Sequence, residues 1–243
     1  MTITSDSRPV LGPQVAAGRD ATIHAVGTDR VLRRIRDGRP VQLEAEIMTH
    51  VRRAGFPVPR VHRVGRGELE LDRIPGPTML ADLLHHPWRL ARHARLLADL
   101  HHRLHRIPAP PGLRTGPVPG DTVVHLDLHP GNVILGPQGP SVIDWPHASR
   151  GDAASDVALT WTSLACFDHD ATGVKAALAD GFRTLFLDRF LAAAGRSAAW
   201  SAVPAVVAYR LAHPQRSRSI RLGEWESLQR LATAAMEPAG VTT

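Results

Sequence analysis

Two short segments concentrate the side chains that could do chemistry. The first reads His125-Leu126-Asp127-Leu128-His129-Pro130-Gly131-Asn132-Val133-Ile134-Leu135, and the second Ser141-Val142-Ile143-Asp144-Trp145. The apolar runs at 123–126, 133–135 and 142–143 predict short buried strands, which leaves Asp127 and Asn132 on a polar loop and Asp144 at a strand end. Buried polar groups cost desolvation unless they are paired or bound. Two acids and an amide gathered at strand ends therefore call for a partner, and a divalent cation is the natural one. Magnesium takes oxygen ligands and is usually held by one or two protein side chains together with substrate phosphates.

The elements that must hold these residues follow from periodicity. β-prone runs at 15–17, 22–26 and 31–35 are separated by Gly18-Arg19-Asp20 and Gly27-Thr28-Asp29, which predicts a three-stranded antiparallel meander. Val41, Leu43, Ile47, Met48 and Val51 recur near helical spacing between Pro40 and Gly55, so one helix packs on that meander. Two more strands at 61–64 and 69–74 precede the breaker run Pro75-Gly76-Pro77. Residues 1–74 thus form a small lobe of five strands and one helix. Beyond Thr78, a good N-cap, helices are expected at 79–86 and 88–106, the latter with Leu90, Ala94, Leu97, Leu100, Leu104 and Ile107 as an apolar stripe. A loop rich in Pro and Gly follows at 108–119. From 153 to 236 the pattern is helical, with breaks expected at Gly151, Gly173, Gly195, Pro204 and Pro214. The class is α+β, a small antiparallel sheet lobe followed by a mainly α-helical lobe over 75–243.

The catalytic-loop spacing resembles the aminoglycoside phosphotransferase family, small-molecule kinases of the protein-kinase-like two-lobe fold. Its H-x-D-x-x-x-x-N loop is matched by His125, Asp127 and Asn132, and its I-D-W metal motif by Ile143-Asp144-Trp145. Gly151-Asp152-Ala153-Ala154-Ser155-Asp156-Val157-Ala158 is similar to the family's G-D-P-x-x-D-L-A, with Ala153 in place of Pro. The resemblance covers residues 15–165. It implies an ATP-dependent phosphotransferase that moves the γ-phosphate to a hydroxyl of a small molecule, with Asp127 as catalytic base and Asn132 and Asp144 holding magnesium against the nucleotide. His125 would brace the loop, and Asp152 and Asp156 would serve the start of the next helix. The resemblance also implies a phosphate-binding lysine on the third strand, where this chain has Arg33. Glu44 is its implied partner, with Glu46 as the fallback. Arginine keeps the charge but is longer and planar. The phosphate turn would be Gly18-Arg19-Asp20-Ala21-Thr22, and the adenine edge would meet the Asp72 C=O and the Ile74 N–H.

Composition bounds the alternatives. The 243 residues are 43% hydrophobic and 21% charged, which excludes fibrous and disordered classes. A formal charge of +6 raises the possibility of a polyanion binder, yet Lys175 is the only lysine and the arginines are scattered without a polybasic block. A nucleotide binder without catalysis is the other alternative, suggested by Arg33 and the weak phosphate turn. Lone Cys166 reads as a small core residue in a reducing compartment. Residues 1–8 are polar and no stretch nears the roughly 20 apolar residues of a membrane span, so the expectation is a cytoplasmic protein that binds neither membrane nor nucleic acid. Of the 14 histidines, His101 and His105 share a helix face; zinc there is weighed against a core role, which the absent glutamate of H-E-x-x-H favours. Trp88, Trp145, Trp161, Trp200 and Trp225 read as core or boundary packers. From 167 to 243 there are seven acidic residues against nine basic ones. A polycationic acceptor wants an acidic pocket, so this balance points to neutral or anionic hydroxyl compounds.

Overall fold

The structure is a computed structural model that describes residues 10–18, 20–166 and 172–213, together with 230 and 233. Expectations for Arg19, Asp168, Asp170, Pro214, Glu224, Trp225, Glu226 and Glu237 lie outside the described residues.

The chain forms two compact units. One comprises the described residues up to Gly76 together with Ile134–Pro146; the other comprises Pro77–Val133 and the described residues from His147 onward. The first was expected as residues 1–74 alone. Segment Ile134–Pro146 belongs with it because Val142 N–H donates to Pro57 O (2.8 Å) and the Trp145 ring meets Phe56 edge-on, with centroids 5.7 Å apart.

In the first unit, β1 (Gln14–Ala17), β2 (Ala21–Val26) and β3 (Arg30–Ile35) form the antiparallel meander that the alternation predicted. Helix α1 (Gln42–Arg53) follows, then β4 (Val61–Gly65) and β5 (Glu68–Asp72). The order is β1-β2-β3-β5-β4, so β5 enters beside β3 and leaves β4 at the edge. Helix α1 buries Glu44, Ala45, Ile47, Met48 and Val51, an i, i+3, i+4 stripe that packs beside β4. The β4–β5 turn needs Gly67, whose φ is +69° and where a Cβ would lie 2.9 Å from the Gly38 Cα.

In the second unit, α2 (Met79–His85) starts at Thr78, whose hydroxyl accepts from Ala81 N (3.1 Å), as expected of an N-cap. The helix expected over 88–106 begins instead with a 3-10 turn at Pro87–Arg89 and becomes α3 at Leu90–Leu104. Strand β6 (Thr122–Val124) lies in this unit, whereas β7 (Val133–Gly136), Val133 apart, and β8 (Gly139–Val142) lie in the segment that joins the first; all three fall near the predicted runs. An unpredicted β9 (Ser149–Gly151), too short to show alternation, pairs antiparallel with β6. Helices α4 (Ala153–Ala165), α5 (Gly173–Ala194) and α6 (Arg196–Ala212) complete the unit. Packing of α3 on α5 and of α4 on α6 buries Leu97, Leu100, Leu104, Phe190, Leu191, Val203 and Val206.

Two expectations are overturned here. Pro204 does not interrupt its helix but sits inside α6, since α6 is fixed by the apolar face that it buries. Trp88 is 74% exposed and packs no core, whereas Trp145 is buried. Cys166 is a buried core residue, as its size and solitude suggested. No single helix among the described residues is long and apolar enough to cross a membrane.

Buried Asp82 on α2 accepts from His93 Nε2 (2.7 Å), Arg89 (2.8 Å) and His86 Nδ1 (3.0 Å). The His93 hydrogen bond, opposed by burial and reinforced by Arg89, holds its carboxyl down at about 2 against an ordinary 3.8. A depressed carboxyl stabilises the fold above its unfolded pKa, and that share is lost as pH falls through the folded value. Asp82→Asn is therefore expected to lower the melting temperature at pH 7, with the difference from wild type shrinking between about pH 4 and pH 2. Melting curves across that range check it; a difference that stays constant contradicts the carboxylate's role.

Candidate active site

The second unit positions the loop that carries Asp127 and Asn132. Strand β6 runs directly into His125 and Leu126, and its partner β9 runs into α4, capped by Asp152 through Ala154 N (2.9 Å). That pairing sets the first turn of α4 beside the loop. Asp156, fully buried, accepts from Leu126 N on Oδ1 (2.7 Å) and from His125 N on Oδ2 (3.0 Å). Its position near the helix start suggested that it served α4, but it is no cap: it holds the loop. Burial opposes its ionisation, yet the facing imidazoles of His101 and His105 outweigh that and hold the carboxyl well below the usual carboxylate range.

Leu126 has φ +61°, a left-handed conformation that costs a non-glycine residue roughly 1–2 kcal/mol. Such strain persists where the surroundings over-determine it, and here the two Asp156 bonds do so. Leu126 and Leu128 are buried, so the carboxylate between them sits on a rigid turn with its side chain about one-third exposed. His125 is fully buried and its Nδ1 accepts from Asp127 N (3.2 Å), the bracing role expected of it.

Asn132, at the end of the 3-10 turn Pro130–Asn132, donates through Nδ2 to Asp127 O (2.9 Å) and to Asp127 Oδ2 (3.1 Å). Both targets are acceptors, so the amide must present its nitrogen to them. This orients the Asp127 carboxylate and leaves Asn132 Oδ1 as an oxygen donor for a cation. His129 Nδ1 accepts from Gly131 N (3.0 Å), which shapes the same turn.

The first unit holds the other candidates. Arg33 on β3 is mostly buried and forks between two carboxylates. One of its terminal nitrogens donates to Glu44 Oε1 and the other to Asp144 Oδ1 (2.8 Å). The pair is not the exposed surface bridge that a charged strand and helix could equally give, and the fallback Glu46 faces solvent. Burial pushes the Glu44 carboxyl up, Arg33 opposes this, and Asp144 adds to it. Asp144 itself lies at φ +68° with its side chain 40% exposed. Trp145, whose Nε1 donates to Val142 O (3.1 Å), anchors the strand end beneath it. The Asp144 carboxylate has a second oxygen beside the one that accepts from Arg33, and a carboxylate oxygen is a ligand of the kind hard cations take.

Of the adenine-edge candidates, Asp72 ends β5 and turns its carboxylate to His62 Nε2 (2.7 Å) and Arg60 N (3.0 Å). Ile74 lies beyond the strand, where its N–H donates to no group among the described residues. In the phosphate turn, Gly18 N donates to Ala21 O (2.9 Å). The His101, His105 and Asp156 ligand atoms lie within 4.8 Å of one another. The Asp156 oxygens already serve two backbone amides and His105, which fits the core role and not zinc.

The model of the phosphotransferase enzyme family matches residues 12–121 and 113–204, most of the chain. The chain belongs to this family. The curated relatives include a thiamine kinase of Escherichia coli (strain SMS-3-5 / SECEC), 37% identical over 59 residues, which is 24% of this chain and 19% of that protein. The chain thus spans about a fifth of the length of the thiamine kinases it matches. Among solved structures, a choline/ethanolamine kinase family protein from Mesorhizobium loti superposes with a TM-score of 0.62 at 15% identity, covering 94% of this chain and 89% of that one. A thermostable mutant of aminoglycoside phosphotransferase APH(4)-Ia, in ternary complex with AMP-PNP and hygromycin B, gives 0.62 at 15% identity, covering 93% of this chain and 92% of that one. The phosphotransferase family member described here shares with them the protein-kinase-like α+β fold.

Proposed function

We propose that this family member is a small-molecule kinase that transfers the γ-phosphate of ATP to a hydroxyl group. The observation that carries the reading is the Asn132 amide bonded to the Asp127 carboxylate on a turn whose backbone is held by buried Asp156. A carboxylate so oriented accepts the proton that the attacking hydroxyl must lose as the phosphoryl group arrives. Arg33, steadied by Glu44, supplies positive charge to the nucleotide phosphates in the place of a lysine. Asn132 and Asp144 supply oxygen ligands to magnesium, which when bound neutralises charge on the phosphates. The Asp72 C=O and Ile74 N–H present a donor and acceptor pair to adenine. Residues 1–74 serve as the nucleotide lobe and 75–243 as the catalytic and substrate lobe.

The acceptor is a neutral or anionic hydroxyl compound such as a sugar, an amino alcohol or a nucleoside-like metabolite, in keeping with the basic balance of residues 167–243. A panel of hydroxylated metabolites and antibiotics, incubated with magnesium and ATP and read by the mass gain of one phosphoryl group, tests this. Phosphorylation of at least one neutral or anionic member is the expected result. The grip of Arg33 on Asp144 favours a second reading, a nucleotide binder without catalysis. That protein would be thermally stabilised by ATP while neither transferring nor hydrolysing phosphate.

A further inference from the structure

We infer that His105 is a positioning residue for phosphoryl transfer: it fixes Asp156, and through Asp156 the backbone of the loop that aims Asp127. The inference rests on Asp127 as the proton acceptor.

The geometry is confined to one compact unit. Asp156 has no solvent to share its charge, and its two oxygens receive three hydrogen bonds. Two come from the loop amides of His125 and Leu126. The third, from His105 Nε2 at 2.9 Å, is the only one donated by a side chain among the described residues. His101 also faces this carboxylate, but its Nδ1 stands 3.7 Å from Oδ2, too far for a hydrogen bond, and burial pushes its imidazole pKa down.

His105 comes from a fixed point. It caps the C-terminal end of α3, where its backbone N–H donates to His101 O (2.9 Å), and its side chain is 7% exposed. A buried carboxylate that loses one of three donors must move or take up a proton. Either event loosens the bonds to Leu126 and His125. Leu126 is already held in a left-handed conformation, so slackening there lets the turn relax and swings the next residue, Asp127. A small displacement of a catalytic group is enough to matter, since about 1 Å of misplacement can cost on the order of 10²-fold in rate.

The test compares His105→Ala, His105→Gln and His105→Asn in the full-length chain. In the Ala variant, kcat is expected to fall roughly 10- to 100-fold with KM for ATP within about twofold. The Gln amide reaches as far as the imidazole Nε2 and is expected to recover most of the rate, whereas the shorter Asn is not. Hydrogen exchange over 122–132 gives a readout that needs no turnover. Faster exchange at His125 and Leu126 in the Ala and Asn variants, with α3 and α5 protected as in wild type, supports the assignment. Unchanged kcat and exchange in the Ala variant overturns it, as does exchange that rises equally across α3, α5 and the loop. Should the Ala variant not fold, Gln and Asn variants with equal exchange over the loop overturn it, and a slow Gln beside a fast Asn supports it. If wild type phosphorylates nothing, the kinase reading fails while the exchange result still decides the role of His105 in fixing the loop.

Discussion

Asp127→Asn is expected to lower kcat by roughly 10² to 10⁴-fold while the Mg-ATP dissociation constant changes by less than about threefold. The variant is chosen from the geometry. An Asn at this position can still accept from Asn132 Nδ2 through its own amide oxygen, so the turn and the orientation of Asn132 survive. The backbone of the turn is held independently by Asp156. Only the capacity to take a proton is lost. Asp127→Ala removes the orienting contact as well, and its turnover is expected to be no higher. Single-turnover kinetics alongside nucleotide titration separate the two quantities. Turnover close to wild type in both variants removes Asp127 from the mechanism, and a large loss of nucleotide affinity would make it a binding residue instead.

The second large effect belongs to Asp144. Asp144→Asn is expected to abolish the dependence of nucleotide binding on magnesium and to lower kcat by on the order of 10³-fold or more, the loss of several kcal/mol of charge stabilisation. Asparagine is the right replacement because residue 144 lies at φ +68°, which Asp and Asn tolerate better than other side chains. An Ala variant would mix backbone strain with the loss of the ligand. Arg33 keeps Glu44 as a partner in the Asn variant, so its guanidinium remains anchored. Removing the Asp144 charge also removes one of the influences that raise the Glu44 carboxyl. Titrating nucleotide with and without magnesium reads the effect. Ordinary magnesium-dependent affinity in the Asn variant would transfer the ligand role to another residue.

Much of the architecture is legible in the sequence. The meander of β1 to β3 and helix α1 followed from alternation, turn glycines and a repeated apolar stripe, each a local signal. So did the N-cap at Thr78 and the strands on either side of Asp127 and Asn132. The failures have local causes too. Strand β9 carries too few residues to display a period, and Pro204 looked like a helix end because its neighbours in sequence cannot show the buried face that keeps α6 intact. Trp88 looked like a packer because aromatic residues usually are.

Sequence by itself marked out the candidate residues: the fixed spacing of His125, Asp127, Asn132 and Asp144 is a property of the chain and needs no fold to be seen. Tertiary structure decided what holds them. That Asp156 grips the amides of His125 and Leu126, and His105 grips Asp156 in turn, depends on α3, β6 and α4 meeting, elements far apart along the chain. Likewise only the fold brings Arg33, Glu44 and Asp144 together. Spacing along a chain fixes local geometry, whereas the environment of a buried charge is set by whichever distant segments pack around it.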